Sequence, residues 1–460
     1  MNTLLLIIAL LAMTTLAYHV GRKRALASVG GNGHLLHSLP SYHGAYVALW
    51  CILPAAIIVF FWLSSENAII NSMMVSSLSL EQQDLSTAEI NLILSEIRNI
   101  ASGAIRSTNI DETKLALADR YGELQFLSTA GLIVVTMGIG AMGLLYSRRF
   151  IAPRFRARRW VERMVMGLLI ACSIIAILTT IGIVLSLLFE ASRFFTKVSP
   201  IEFLFGLHWS PQTALRADQV GSTGAFGAVP VFAGTLLITI IAMIVAVPIG
   251  LLSAIYMAEY ATPHFRSVVK PLLEILAGVP TVVYGFFAAL TVGPFIRDLG
   301  ESVGLNVASE SALAAGLVMG IMIIPFVSSL SDDVINAVPQ SLRDGAFAMG
   351  ATKSETIRQI IIPAALPGIV GSILLAVSRA IGETMIVVMA AGLSANFTAN
   401  PFEAVTTVTV QIVTLLVGDQ EFDSAKTLAA FALGLILFIV TLILNVIALT
   451  VVRKYREKYD

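Results

Sequence analysis

Charged residues and cysteines are scarce in this 460-residue chain. Only 13% of the residues are charged, and the 29 lysines and arginines balance the 29 aspartates and glutamates. A chain without net charge gives nucleic acid no electrostatic reason to bind. Both cysteines, Cys51 and Cys172, lie in apolar runs, which argues against a disulfide framework or a cysteine metal site. The dipeptide Gly-Lys is absent, so no phosphate-cradling P-loop exists and we expect no ATP hydrolysis by this chain.

Apolar runs are abundant instead. Hydrophobic residues make up 57% of the sequence, and nine runs approach the roughly 20 residues that a helix needs to cross a bilayer. They therefore predict an all-α polytopic membrane protein. The runs lie near residues 3–19, 44–63, 127–147, 162–189, 231–258, 271–295, 309–330, 364–392 and 428–451.

The positions of basic residues predict the orientation. The first run has its charges, Arg22–Arg24, after it rather than before it, which favours a retained span over a cleaved signal peptide. With the N-terminus outside, most lysines and arginines fall in inside segments, including 148–163 and 453–458. The positive-inside rule thus predicts an external N-terminus, a cytoplasmic C-terminus and a cytoplasmic segment 341–363.

The segment 341–363 reads SLRDGAFAMGATKSETIRQIIIP and separates two apolar runs. Ser341 with Asp344, and Thr352 with Glu355, have the spacing of capping boxes. Each pair therefore predicts the start of a short helix.

The ends of these two helices are also readable. Gly350 tolerates the left-handed conformation that ends a helix, and Pro363 prevents the second helix from continuing unbroken. Phe347 and Met349 would be apolar contacts on a membrane surface. We expect this segment to be a docking element.

The same segment resembles the EAA loop of ABC importer permeases, which forms a coupling helix held in a groove of the ATPase subunit. Asp replaces the family's Glu, Gly replaces Ala, and Ile replaces Leu before the proline. The glycine weakens the helix by up to about 1 kcal/mol relative to alanine. The resemblance assigns to ATPase coupling the residues Asp344, Gly345, Ala346, Gly350, Ile360 and Pro363. Phe347 and Met349 join them as the apolar contacts of the docking element.

Residues 161–460 as a whole resemble the PstC-type permease of the phosphate-specific ABC importer, the Pst system. The run 378–385 ends in Glu-Thr-Met, which favours PstC over its sister PstA. The supporting runs are SPIEFLFGLHWSP (199–211), FGAVPVFAGTLLITI (226–240), IYMAEYATP (255–263), LEILAGVPTVVYGFF (273–287) and SRAIGETM (378–385).

This resemblance implies the partners and the task. It implies a subunit that imports phosphate across a bacterial inner membrane, sharing one pathway with a PstA-type sister permease. A PstS-type phosphate-binding protein would dock outside on loops 190–230 and 393–427. Two PstB-type ATPases would bind inside and use ATP and magnesium, while this chain binds no cofactor.

One basic residue lies within an apolar span. Arg379 falls near the middle of the run 364–392, where an arginine normally faces a cavity or a partner. Glu383 follows at i+4, so an unbroken helix would place both side chains on one face. The resemblance ties the matching Arg and Glu to phosphate transport, with Thr384 and Ser378 as further hydroxyl donors.

Two readings remain open at these positions. Arg379 and Glu383 would also suit a neutralised pair that only packs helices together. Glu274, near the cytoplasmic end of its span, suits either the pathway or the membrane interface.

Residues 1–160 form an N-terminal extension outside the resemblance, followed by the permease domain 161–460. An external segment, 64–126, contains a capping box at 86–89 with apolar residues at helical spacing, and a second helix from Asp111 that can continue into the third span. A helical hairpin packed on itself and a contact site for a binding protein or regulator are both open.

Two motif matches do not indicate sites. Gly138, Gly140 and Gly143 match a dinucleotide fingerprint in letters, but inside an apolar span they predict close helix packing. Three histidines, His34, His37 and His43, lie in or beside a Gly/Ser-rich stretch at 25–43 that predicts a flexible linker, not a zinc site.

Three rival functions remain. A secondary transporter or channel would use Arg379 and Glu383 as an ion-coupled site. A signalling scaffold would use the segment 64–126 as its contact surface. Within the importer class, sulfate or molybdate is an alternative cargo.

Overall fold

The computed structural model describes residues 2–78, 87–102, 112–213, 223–417 and 423–456. The chain divides into two compact units, Met1–Leu178 and Thr179–Asp460. Across the described residues, nine helices are long and apolar enough to cross a membrane. The prediction of an all-α polytopic protein with nine spans is confirmed.

The first unit consists of helices. Three long ones, α1, α2 and α4, pack on one another, and the shorter α3 packs against α4. A fourth long helix, α5, begins in this unit and continues into the second. The bounds are α1 Asn2–Ala27, a 3-10 turn Gly33–Leu35, α2 Pro40–Val75, α3 Thr87–Ala101, α4 Glu112–Arg149 and α5 Ala157–Phe195.

Two glycines let α4 approach its neighbours closely. A Cβ on Gly143 would collide with the backbone carbonyl of Trp50 in α2, and a Cβ on Gly140 would collide with Met13 of α1. Gly138 faces open space. The interpretation as helix packing is confirmed at Gly140 and Gly143, and Gly138 matches the motif by letters alone.

The helices of the segment 64–126 form their own small core. Leu94 and Ile97 of α3 are buried against Ile70 and Met74 of α2 and against Tyr121 of α4. The second predicted helix does run on into the third span, since α4 is continuous. Ser86, the first residue of the predicted capping box, lies outside the described residues.

The linker prediction is wrong for His43. Pro40 occupies the first turn of α2, a position that suits proline, and His43 is fully buried inside that helix with its ring 6.0 Å from that of Phe155. The stretch between α1 and α2 is therefore short. Among the described residues no group of three His, Cys, Asp or Glu side chains is placed to hold a metal ion.

The second unit contains the other spans. Its core lies where α7 and α11 pack along each other, with α9, α14 and α15 around them. The bounds are α6 Pro200–Phe205, β1 Trp209–Thr213, β2 Thr223–Phe226, α7 Val229–Ile255, α8 Pro263–Ala277, α9 Thr281–Phe287, α10 Gly293–Ser302, α11 Ala312–Ala337, α12 Gln340–Ala348, α13 Lys353–Thr356, α14 Ile362–Ile381, α15 Met385–Ala390, α16 Val408–Leu416 and α17 Ala425–Arg456.

Small residues set the distance between α7 and α11. A Cβ on Gly320 would lie 2.9 Å from the Cβ of Val245, and one on Gly316 would lie 2.6 Å from a methyl of Ile241. Both glycines thus permit an approach that a side chain would prevent. The two helices behave as one packed pair.

Two spans differ from the predicted bounds. The run 271–295 is divided, because α8 ends at Gly278 and a new helix begins at Thr281. The run 364–392 is also divided, because α14 ends at Ile381 with Gly382 as its C-cap. The hydropathy of both runs stays high across the breaks, because residues 278–280 carry no charge and residues 382–384 carry only that of Glu383.

Three π-helical turns interrupt the spans. They lie at Tyr256–Tyr260 after α7, at Ala288–Val292 between α9 and α10, and at Ile357–Ile361 between α13 and α14. A π turn holds one extra residue and occurs often at functional sites. One of them, Ile357–Ile361, lies within the segment 341–363, and another, Tyr256–Tyr260, contacts that segment through the Glu259–Arg343 ion pair.

Candidate functional site

The segment 341–363 forms two helices, as predicted, but the first starts two residues before the position that an N-cap at Ser341 predicts. Pro339 is the N-cap of α12 and fixes the backbone for a helix that begins at Gln340. Ser341 therefore lies inside the helix and caps nothing. Asp344 Oδ1 accepts a hydrogen bond from the side-chain amide of Gln340 at 3.2 Å instead of completing a capping box with Ser341.

The turn between the two helices matches its prediction. Gly350 adopts φ +88°, and Ala351 N–H donates to the carbonyl of Ala346 at 3.1 Å, which closes the end of α12. At the next helix, Glu355 N–H donates to Thr352 Oγ1 at 3.4 Å, while Thr352 N–H donates to Glu355 Oε2 at 2.8 Å. Both halves of this capping box are present.

Apolar side chains of the loop are exposed. Met349 is 89% exposed and Phe347 46% exposed, whereas Ala346 of the same helix is buried. The second helix passes through the π turn Ile357–Ile361 into α14, where Pro363 occupies the first turn and Ile360 is half-buried. The loop therefore presents an unpaired apolar surface on a rigid support.

Arg343 attaches α12 to the body of the unit. Its guanidinium donates to the carbonyls of Val338 at 2.5 Å and Ile335 at 2.8 Å, both at the end of α11. The same group donates to Glu259 Oε1 at 3.0 and 3.2 Å. Both partners of this ion pair have side chains only 11% exposed. Sequence reasoning missed this contact.

The predicted geometry of Arg379 and Glu383 is wrong. Since α14 ends at Ile381, Arg379 lies in its last turn rather than mid-span, and Glu383 follows the break rather than sharing its face. Glu383 Oε1 accepts from Met385 N–H at 3.1 Å and so caps α15. Within the described part of the chain, no carboxylate lies within 4.0 Å of Arg379, whose guanidinium stands 5.8 Å from the ring of Phe326.

The two hydroxyl residues have separate local partners. Ser378 donates to Asn445 Oδ1 of α17 at 3.3 Å, and Thr384 donates to the carbonyl of Gly382 at 3.4 Å. Thr409 of α16 donates to the carbonyl of Glu383 at 2.8 Å. The last turn of α14 is thus bonded to α17 through Ser378, and the break after it is bonded to α16 through Thr409.

A buried carboxylate lies in the C-terminal half of α11. Asp332 is fully buried and accepts from Arg266 at 3.1 and 2.8 Å, from Lys270 at 3.1 Å and from Asn336 at 2.9 Å. Lys270 also donates to the exposed Asp333 at 3.1 Å. These bonds, that to Asp332 first, raise the pKa of Lys270 above its ordinary value. The network fixes the amphipathic helix α8 on α11.

A cavity of about 220 Å³ lies beside this network. Glu274 of α8 lines it together with Phe326, whose ring also contacts Arg379. Glu274 therefore faces a cavity between α8 and α11 and is not directed only at the membrane interface.

Two family models match this chain. The model of a family described as a phosphate ATP-binding cassette transporter matches residues 7–179, and that of the binding-protein-dependent transport system inner membrane component matches residues 246–457. A probable ABC transporter permease protein of Bacillus subtilis, YqgH, is 34% identical over 273 residues, which are 59% of this chain and 84% of the relative. The chain belongs to the PstC-type permeases of ABC transporters.

Another relative agrees with that membership. The phosphate transport system permease protein PstC 1 of Mycobacterium bovis is 32% identical over 283 residues, which are 56% of this chain and 83% of the relative. A chain from the crystal structure of a bacterial alginate ABC transporter is 15% identical with a TM-score of 0.45, covering 65% of this chain and 98% of that chain.

The N-terminal extension has its own family match in this PstC-type permease. Residues 7–179 fit the phosphate ATP-binding cassette model, whereas the resemblance read from sequence covered the six-span part alone. The proteins of this family are transport permeases, so the chain is a transporter subunit and not an enzyme. It is a multi-pass membrane protein of the ABC permease class.

Proposed function

We propose that this permease forms, with a sister permease, the pathway of an ATP-driven phosphate importer. An external phosphate-binding protein delivers the anion, and ATPases bind the loop 341–363 from the cytoplasm. The observation that carries the proposal is the exposed apolar surface of Phe347 and Met349 on a loop held rigidly by Arg343. The names of the relatives, phosphate transport system permeases, support phosphate as the cargo.

Arg379 is the basic group we assign to the anion. It is exposed in the isolated chain and lacks an ion-pair partner among the described residues. Phosphate carries one to two negative charges near neutral pH, and guanidinium binds its oxygens in a fork. Glu383 shapes the break beside it by capping α15, and Ser378 and Thr384 supply hydroxyls nearby.

Uptake by the reconstituted complex tests the cargo and the arginine together. We expect phosphate to be taken up in preference to sulfate, and Arg379→Ala to lower phosphate uptake by at least about tenfold, since it removes a charge-assisted fork. Arg297→Ala removes an equal charge at an exposed position and serves as control. Normal phosphate uptake by Arg379→Ala would overturn the site, and preferred sulfate uptake would overturn the cargo.

We also propose that the N-terminus lies outside and that the loop 341–363 lies in the cytoplasm. Met349→Cys provides a test, because that side chain is 89% exposed. A membrane-impermeant thiol reagent is expected to label it in inside-out vesicles and not in right-side-out vesicles. Cys172→Ser in the same background removes the other exposed thiol. Labelling in right-side-out vesicles would reverse the orientation.

The division into an extension at 1–160 and a permease domain at 161–460 remains a proposal. The partners are likewise proposed in detail as PstA-type, PstB-type and PstS-type chains. Expression of the operon-encoded complex with an affinity tag on this chain is expected to recover all three, and recovery of other permeases or ATPases would contradict the assignment.

A further inference from the structure

Both helices of the coupling loop contact the same π turn. Arg343 of α12 forms its ion pair with Glu259, and Lys353 of α13 stands 4.9 Å from the ring centre of Tyr260. Glu259 and Tyr260 are the last residues of the turn Tyr256–Tyr260, which ends α7. The loop is covalently continuous with α11 and α14 only, so these contacts join it to a third span.

The ion pair is built to resist displacement. Breaking a buried pair leaves an uncompensated charge, which is strongly unfavourable, and both side chains here are 11% exposed. Arg343 also donates to two carbonyls at the end of α11. One guanidinium therefore connects α12, the end of α11 and the end of α7.

Glu259 lies within the π turn itself. Ala261 N–H donates to the carbonyl of Tyr256, five residues back, at 2.8 Å. This bond encloses one residue more than an α-helical turn and closes the end of α7. The two residues that contact the loop, Glu259 and Tyr260, thus both lie in the stretch with π geometry.

The other end of α7 contacts the region of the predicted anion site. Val408 N–H of α16 donates to Thr235 Oγ1 of α7 at 3.0 Å, and Gly234 admits the carbonyl of Thr406. The next residue of α16, Thr409, donates to the carbonyl of Glu383. Helix α7 thus extends from the loop to the helix that holds the break after α14.

We propose that the π turn Tyr256–Tyr260 receives motion of the coupling loop and that α7 conveys it to the break beside Arg379. This inference rests on the proposed function, since it assumes that an ATPase displaces the loop. Arg343 and Glu259 are positioning residues in it: they fix the loop to α7 and do not touch the anion. Lys353 supplies a second, exposed contact to the same turn.

The test uses the assembled complex in proteoliposomes with three readouts: ATPase retained on the permease, ATP hydrolysed, and phosphate taken up per ATP. Glu259→Gln keeps a hydrogen-bond acceptor but removes the charge, and Lys353→Gln removes the cation at an exposed position. Controls of equal charge change are Glu301→Gln and Lys426→Gln, both exposed. We expect phosphate per ATP to fall by about threefold to tenfold in Glu259→Gln, with ATPase retention within about twofold of the parent.

The outcomes separate a transmitting role from a merely structural one. A structural role would reduce the amount of assembled complex and leave phosphate per ATP unchanged in what remains, which would overturn the proposal. If Glu259→Gln fails to assemble, Lys353→Gln provides the test. We expect phosphate taken up per ATP to fall by about twofold in Lys353→Gln, and a value equal to that of the parent refutes the inference. A separate variant, Met349→Glu, isolates the proposed function, because unchanged ATPase retention there would mean that the loop is not the docking site.

Discussion

Replacing Asp332 with asparagine tests how the amphipathic helix α8 is held on α11. The fully buried carboxylate accepts four N–H bonds, two from Arg266, one from Lys270 and one from Asn336. Asparagine keeps the shape of the side chain but removes the charge, and its amide hydrogens face the two cations.

The structure sets the size of the effect. Removing one partner of a buried ion pair costs about 3–5 kcal/mol. Arg266 and Lys270 are 31% and 29% exposed, so water offsets part of that loss. Arg266 also keeps its bond to Asn336, and Lys270 keeps Asp333. We therefore expect Asp332→Asn to lower the free energy of unfolding by about 2–3 kcal/mol.

Thermal unfolding in detergent measures this loss, which corresponds to a decrease in Tm of about 3–5 °C for a unit of this size. The matched control is Asp333→Asn, because Asp333 pairs with the same Lys270 but is 63% exposed. An exposed pair contributes under about 1 kcal/mol. Equal Tm shifts for the two variants would refute the reasoning that burial makes Asp332 decisive.

Three further predictions concern other contacts. Gly143→Ala is expected to lower the free energy of unfolding by about 1–3 kcal/mol, and with it Tm, because the added methyl collides with the Trp50 carbonyl. Gly138→Ala is the control, since its methyl faces open space and leaves Tm unchanged. Equal Tm shifts for the two variants would refute the packing argument. Gly350→Ala is expected to weaken ATPase binding by about fivefold, since a backbone φ of +88° costs an alanine about 1 kcal/mol. Gly345→Ala is the control, because its methyl meets no neighbour and ATPase binding stays equal or becomes tighter. Pull-down titrations with the purified ATPase measure both affinities. The pKa of Lys270 is raised in the folded state. The stabilisation that the charged Lys270 contributes is therefore complete below the ordinary lysine pKa of about 10.4 and is lost as the pH rises above that pKa. The Tm difference between the parent and Lys270→Met is expected to be constant from about pH 6 to 9 and to shrink only at higher pH; a difference that already shrinks below about pH 9 would contradict this expectation.

Local patterns predicted local structure well. The capping box of Thr352 and Glu355 and the left-handed Gly350 depend on residues within a few positions of each other, so the sequence contains the whole cause. The prediction of Ser341 as N-cap is wrong by two residues, because Pro339 occupies the N-cap position. The nine spans followed from hydropathy for the same reason: length and apolarity are summed along the chain.

Contacts between distant segments were not predictable. Arg343 meets Glu259, 84 positions away, and Arg266 meets Asp332, 66 positions away. In the sequence, charged residues near the ends of spans are typical of anchors at the membrane interface, and no spacing rule predicts which of them form ion pairs with one another. Arg379 and Glu383 failed differently, because the i+4 relation assumes a helix that Gly382 ends. The sequence does contain a sign of this break, namely Gly382 and Glu383 followed by a new hydrophobic run from Met385.

The π turn at Ile357–Ile361 has a consequence for natural variants and engineered ones. There Ile362 N–H donates to the carbonyl of Ile357, five residues back, just ahead of Pro363. Deleting a single residue in this stretch restores the ordinary helical repeat and rotates α13 by about 100° relative to α14. Arg343 holds α12 on the end of α11, so Phe347 and Met349 keep their place while α13 turns. Loss of one amino acid here therefore changes the angle between the two helices of the loop instead of only shortening it.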